Sequence, residues 1–142
     1  MARTLFVEIV TPDRRVFRGE ALSIRAPGVE GSFEVLYNHA PMVAAITVGP
    51  LFVTTPSGER ITFATSGGFV EVLGNRVTVL AETAEPASEI DVERARAAEQ
   101  RALDRLHNAQ SAEERAEAEA ALERARNRLR IAMGQVGQRL HP

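Results

Sequence analysis

The sequence predicts an α+β chain in which an antiparallel β-sandwich or flattened barrel is followed by an antiparallel two-helix hairpin. Three observations predict it. Up to Glu85, apolar and polar residues alternate in twos within short runs, the period at which strand side chains change faces. Beyond Asp91 the apolar residues recur every three or four positions, the period of a helix with one buried stripe. Between the two regimes Pro86 has no amide to give a sheet ladder and holds Glu85 extended, so the last strand ends there. Ser88 and Asp91 both offer a short side-chain oxygen to cap the first helical turn. The expected domains are residues 1–85 and 86–142.

In chain order, Leu5, Val7 and Ile9 alternate with Phe6, Glu8 and Val10 as a first strand, and Pro12 presets the turn at 11–14. Further strand-like runs fall at 16–17, 21–26, 33–36, 43–48, 51–55, 61–65, 69–73 and 77–81. Pro27 with Gly28, Gly31, Gly49 with Pro50, the stretch 56–58, and Gly67 with Gly68 punctuate them. Many short strands at close spacing build a sandwich or barrel rather than a parallel sheet. Gly74 and Asn75 read as a two-residue hairpin loop of the kind with glycine first.

In the helical half, Val92, Ala95, Ala98, Ala102, Leu103 and Leu106 share one face up to about His107. Residues 108–111 break that helix, and Ser111 with Glu114 forms a capping box that starts a second. Along it Ala118, Leu122, Ala125, Leu129, Ala132 and Val136 step by four and three as a seam, which Gly134 and Gly137 weaken at its end. A loop this short makes the helices antiparallel neighbours. An alanine-rich seam buries little apolar surface per turn, so the hairpin needs further support, from the sandwich or from another subunit.

Composition narrows the function. The chain of 142 residues, 44% hydrophobic, suits one domain or one domain with an appendage. It has no cysteine and three scattered histidines, His39, His107 and His141, which excludes thiolate chemistry and disfavours a metal site. No apolar run is long enough for a bilayer and no signal pattern opens the chain, so cytoplasmic residence without membrane insertion is expected. A net charge of −2 argues against nucleic acid as partner. All 17 basic residues are arginine.

Two features invite chemistry. Ser66, Gly67 and Gly68 with His39 resemble parts of a nucleophile site, but Ala64 stands where a nucleophile elbow needs glycine. A structured corner and a structured surface loop account for them instead, and no catalytic residue is expected. On the second helix, Arg124 and Arg128 are four apart, as are Arg126 and Arg130, and such like-charge pairs each cost roughly a few tenths of a kcal/mol. Glu123 can relieve Arg126, but no acid stands at 120, 121, 127 or 128 to relieve Arg124. Either this is a solvated arginine face or Arg124 and Arg128 hold an anion such as phosphate.

Set together, VTPD at 10–13, HAP at 39–41, SGGFVEV at 66–72, VTVLAE at 77–82, IDVERA at 90–95 and NRL at 127–129 give a chain that resembles the epsilon subunit of bacterial F-type ATP synthases over nearly its whole length. The resemblance implies a ten-stranded sandwich followed by the helical hairpin. It implies a non-catalytic subunit on the cytoplasmic face of the cell membrane, peripheral, seated in the central stalk against the gamma subunit and the membrane rotor ring. The helices of such subunits fold down or extend into the catalytic alpha/beta head, where they block ATP hydrolysis. No cofactor is required, but ATP is a regulatory ligand of some members. By position the implied ATP residues are Glu85, Ile90, Asp91, Arg94, Arg101, Arg124 and Arg128, and the implied partner contacts are Ser32, Glu34, Tyr37 and His39.

Departures lie in the loop at 31–41. The family's usual reading is close to GELGILPGHAP, and here it is GSFEVLYNHAP. Ser32 replaces the acid, with Glu34 two residues later, and glycines are lost at Glu34 and Asn38, although asparagine tolerates a left-handed backbone. The rival reading is a free-standing nucleotide-sensing or helical-adaptor module of the same architecture, separated from the first by whether the chain associates with gamma.

Overall fold

The computed structural model describes residues 3–134; Val136 of the expected seam, Gly137 and His141 lie outside them. The chain divides into two compact units, Met1–Pro86 and Ala87–Pro142.

The first unit holds ten strands: β1 (Leu5–Val10), β2 (Arg15–Ala21), β3 (Ser23–Gly28), β4 (Gly31–Leu36), β5 (Met42–Ile46), β6 (Gly49–Thr54), β7 (Arg60–Thr65), β8 (Gly68–Leu73), β9 (Arg76–Ala81) and β10 (Ala84–Pro86). They pair in the order β10-β7-β6-β3-β5-β8-β9-β1-β2, with β4 also on β3. Every pairing is antiparallel except β1 against β9, which is parallel. β3 and β5 share the single ladder pair of Gly28 and Ile46, flanked by the Thr47 amide donating to the Pro27 carbonyl at 2.8 Å and the Val29 amide donating to the Ala45 carbonyl at 3.0 Å. Inside, the inward phase of the alternation closes the core: Leu5, Val7 and Ile9 from β1, Val70 and Val72 from β8, and Val77 and Val79 from β9 are all buried. Phe17 packs edge-on to Phe63 with ring centroids 6.0 Å apart.

Several boundaries differ from the sequence expectation. Gly49 and Pro50, read as punctuation, lie inside β6 opposite Thr65 and Ala64, since proline is tolerated near the start of a strand. Pro27 and Gly28 likewise finish β3. The run at 21–26 is divided, because the Leu22 amide leaves β2 to donate to the Thr54 carbonyl at 2.7 Å. β10 is too short to show a period of its own, and it ends at Pro86, paired with Phe63. Gly74 and Asn75 both take left-handed φ, 60° and 64°, so the turn is of the type with two left-handed residues. At Gly68, φ is 143°, and a Cβ there would collide with the Leu80 carbonyl.

In the second unit a 3₁₀ turn (Ala87–Glu89) precedes α1 (Val92–His107) and α2 (Ala112–Ala132). Asp91, not Ser88, caps α1 and accepts from the Arg94 amide at 3.1 Å; Ser88 lies within the 3₁₀ turn. Ser111 caps α2 by accepting from the Glu114 amide at 3.0 Å, while Glu114 reaches back to the Gln110 amide at 2.7 Å. The reciprocal arm therefore lands one residue earlier than in a standard capping box.

Ala95 and Ala102 of α1 and Ala118, Leu122 and Ala125 of α2 are buried, but the seam then changes side. Leu129 and Ala132 are half-buried, whereas Asn127 and Ile131, about 140° and about 180° round the helix from Leu122, are buried at 1% and 2% exposure. The 3₁₀ turn packs on α2 as well. Arg126 pairs with Glu99 of α1 at 3.0 Å rather than with Glu123. Arg105 meets Glu117 at 3.9 Å across the hairpin.

Candidate functional site

Two surfaces carry the residues of interest. The first is the outward face of β5, β8 and β9. In β8, Val70 and Val72 point inward, so Phe69, Glu71 and Leu73 point out, and two of these three outward side chains are apolar. The register sets Phe69 beside Ala45 of β5 and Leu80 of β9, with Val43 opposite Glu71 one step along. Val43 is 70% exposed, Phe69 56%, Leu73 63% and Leu80 53%. Pro41, Met42, Val43, Glu71, Val72 and Leu73 line a shallow open groove on this face. Large apolar side chains grouped on one sheet face mark an interaction surface. Sequence reasoning missed them; the available signal was apolar residues on both phases of β8.

At one end of that face lies the turn at 37–41. The His39 amide donates to the Leu36 carbonyl at 3.1 Å. Its ring donates Nδ1–H to the Ala40 carbonyl at 2.7 Å, leaving Nε2 as the free ring nitrogen. Arg3 stacks its guanidinium 5.9 Å from the Tyr37 ring. Ser32 and Glu34 point outward from β4 on the phase opposite buried Val35. Tyr37 and His39 thus share one turn, whereas Ser32 stands about 17 Å along the strand from Tyr37.

Ser66 and His39 do not meet. Ser66 adjoins the end of the β5 and β8 ladder where Ile46 pairs with Gly68, and His39 adjoins the other end, where Met42 pairs with Val72. The Ser66 hydroxyl instead accepts from Thr83 Oγ1 at 2.7 Å. Among the described residues no cluster of histidines and acids could hold a metal, and no helix is long and apolar enough to cross a membrane.

The second surface is one flank of the helical hairpin. Arg94, Arg101 and Arg105 fall on one stripe of α1, and Glu117, Arg124 and Arg128 on one stripe of α2, because steps of four, seven and eleven return to nearly the same side of a helix. The ion pair of Arg105 with Glu117 joins the two stripes, so a single flank collects Arg94, Arg101, Arg124 and Arg128. The pairs at Glu99 and Glu117 set a register with Arg101 about level with Arg124. Arg94, Arg101 and Arg124 are exposed, and among the described residues none of them forms an ion pair. Arg128 is engaged within the folded chain, so the sequence argument for an unrelieved pair holds for Arg124 alone. Ile90 is buried, and the Asp91 carboxylate is committed through one oxygen to its capping bond. Glu85 is half-buried on β10, in the other unit.

Comparison with known proteins finds two family models in tandem. The beta-sandwich domain of the ATP synthase delta/epsilon chain matches residues 4–87, and its long alpha-helix domain matches residues 88–133. An ATP synthase epsilon chain of Salinibacter ruber is 60% identical over 98% of this chain and 99% of its own length. One of Desulforamulus reducens is 47% identical over 93% and 99%. Among solved structures, a chain of the Euglena gracilis mitochondrial ATP synthase OSCP/F1/c-ring assembly has a similar fold, with TM-score 0.76 and 23% identity over 98% of this chain and 82% of that one. A chain of the Tetrahymena thermophila mitochondrial ATP synthase central stalk and c-ring superposes with TM-score 0.58 and 17% identity, covering 90% and 96%.

Proposed function

The chain belongs to the ATP synthase delta/epsilon chain family, an accessory rather than a catalytic subunit, and from that premise we propose how it works. The sandwich docks through the outward face of β5, β8 and β9 and the turn at 37–41, the former against the gamma subunit and the latter, with Ser32 and Glu34, towards the membrane rotor ring. The observation that carries this reading is the exposed apolar group of Val43, Phe69, Leu73 and Leu80, which an isolated soluble domain has no reason to keep. Docked this way, the subunit is held peripherally at the cytoplasmic face of the membrane. Co-purification tests it: the tagged chain should bring gamma down with it, and Phe69→Asp with Leu80→Asp should abolish that while the fold persists. Retention of gamma by the doubly charged variant would remove the assignment.

The helical hairpin is the regulatory part in this proposal. Its alanine seam and two exposed inter-helix ion pairs are weak ties, suited to helices that leave one another and extend into the alpha/beta head to block hydrolysis. ATP stabilises the closed hairpin through Arg124 and Arg128, with Arg94 and Arg101 on the same flank and Ile90 and Asp91 at the start of α1 completing the set. The three exposed guanidinium groups of Arg94, Arg101 and Arg124 on one flank repel one another, and a polyphosphate relieves them. Calorimetry decides the matter: the unmutated chain should bind ATP, and Arg124→Ala should weaken binding about tenfold for each 1.4 kcal/mol removed. No heat at millimolar ATP would leave the flank as a solvated face.

A further inference from the structure

Asn38 sits in the left-handed region at φ 66°, where side chains are tolerated chiefly when they hydrogen-bond locally. Here the bonding is not local in sequence. The Asn38 amide N–H donates to Asn75 Oδ1 at 2.6 Å, and Asn75 Nδ2 donates back to Asn38 Oδ1 at 3.2 Å. Asn75 is held in its turn: it has φ 64° in the turn between β8 and β9, and its carbonyl accepts the Phe6 amide at 2.9 Å. Three stretches far apart in sequence are tied at one point. They are the turn after β4, the hairpin between β8 and β9, and the start of β1.

Asn38 is exposed and Asn75 half-buried, so water competes for these bonds and they add little to the stability of the core. Their geometry has a different use. The Asn75 amide accepts and donates through two separate atoms of one planar group, so the reciprocal pair fixes the direction of the chain through 37–39 as well as its position. A turn already in its bound shape loses less conformational freedom on docking.

We infer that Asn75 is a positioning residue, which through Asn38 holds the turn at 37–41 in the shape it presents to a partner subunit; the docking half of this inference rests on the role proposed for that turn above. Glycine at 75 keeps the left-handed backbone and removes the clamp. Aspartate keeps the acceptor for the Asn38 amide, and the Asn38 side chain can turn over to donate to its second oxygen.

The test uses the full chain in two measurements: amide hydrogen exchange of the free protein, and affinity for ATP synthase complex depleted of this subunit. Asn75→Gly should exchange the Asn38 amide at least tenfold faster, keep the protection of Val70 and Val79 in the core, and bind the depleted complex about tenfold more weakly. Asn38→Gly removes only the return bond and should shift both in the same direction by less, and Asn75→Asp should restore most of both. Unchanged exchange at Asn38 in Asn75→Gly would overturn the inference, as would faster exchange with unchanged affinity. If the unmutated chain fails to bind the complex, the subunit reading falls and the docking half with it, while the exchange contrast still decides whether the pair holds the turn.

Discussion

Replacing Phe69 by alanine separates a docking face from an ordinary sheet surface. The side chain is 56% exposed, so of a phenylalanine's roughly 200 Å² about 110 Å² is open to a partner. At about 25 cal/mol per Å² that area corresponds to about 2.8 kcal/mol if docking covers all of it. Alanine retains a share of the contact, leaving a loss of about 2 kcal/mol, or about thirtyfold in affinity. Removing an outward side chain opens no cavity, so the melting point should move by no more than about 1 kcal/mol of strand propensity implies. The assay is competition between variant and unmutated chain for the depleted complex, with thermal unfolding in parallel. Affinity within twofold of the unmutated chain would show that Phe69 stays in water in the assembly, and the reasoning from exposed area would fail.

Four further outcomes are expected. A chain ending at Pro86 should fold cooperatively, because the core of the first unit is closed by its own strands; a fragment without protection from proteolysis would contradict this. Gly68→Ala should cost about 2–4 kcal/mol, read as a drop in melting temperature, because the backbone geometry and the Leu80 carbonyl both oppose a Cβ there. Ser111→Ala should lower hairpin stability by about 1 kcal/mol in helix-content melts, and a neutral result would mean the cap is replaced by water. A double-mutant cycle on Arg126 and Glu99 should give a coupling of about 0.5 kcal/mol that fades in 1 M salt, since both side chains are partly in water.

Most of the sandwich could be read from the alternation, because inward residues such as Val70 and Val72 are apolar in strict phase. The exceptions are physical. β10 has too few residues to show a period, and Gly49 and Pro50 look like a break until the partner strand supplies their pairing. In the hairpin the α1-facing part of the seam was legible, but the burial of Asn127 and Ile131 was not, since a second contact face at the end of α2 overrides a single-stripe pattern. Of the candidate contacts, Tyr37 and His39 could be found by motif, whereas Phe69 and Leu80 were hidden by looking like ordinary strand residues. The link between Asn38 and Asn75 spans 37 positions, a distance over which no local pattern reports.

The parallel pairing of β1 with β9 sets a timetable for the nascent chain. β1 can form its hairpin with β2 as soon as about 21 residues have emerged, but its other edge waits until β9 follows about 60 residues later. Loop closure over that separation is slow compared with helix formation. During the interval the β9-facing edge of β1 is open, with Phe6 and Val10 beside it, and an exposed edge of this kind is where a growing chain pairs wrongly with its neighbours. The unit is therefore one whose first strand is among the last to be locked, and a released chain truncated before β9 should expose β1 to chaperones, whereas one truncated in α1 should not.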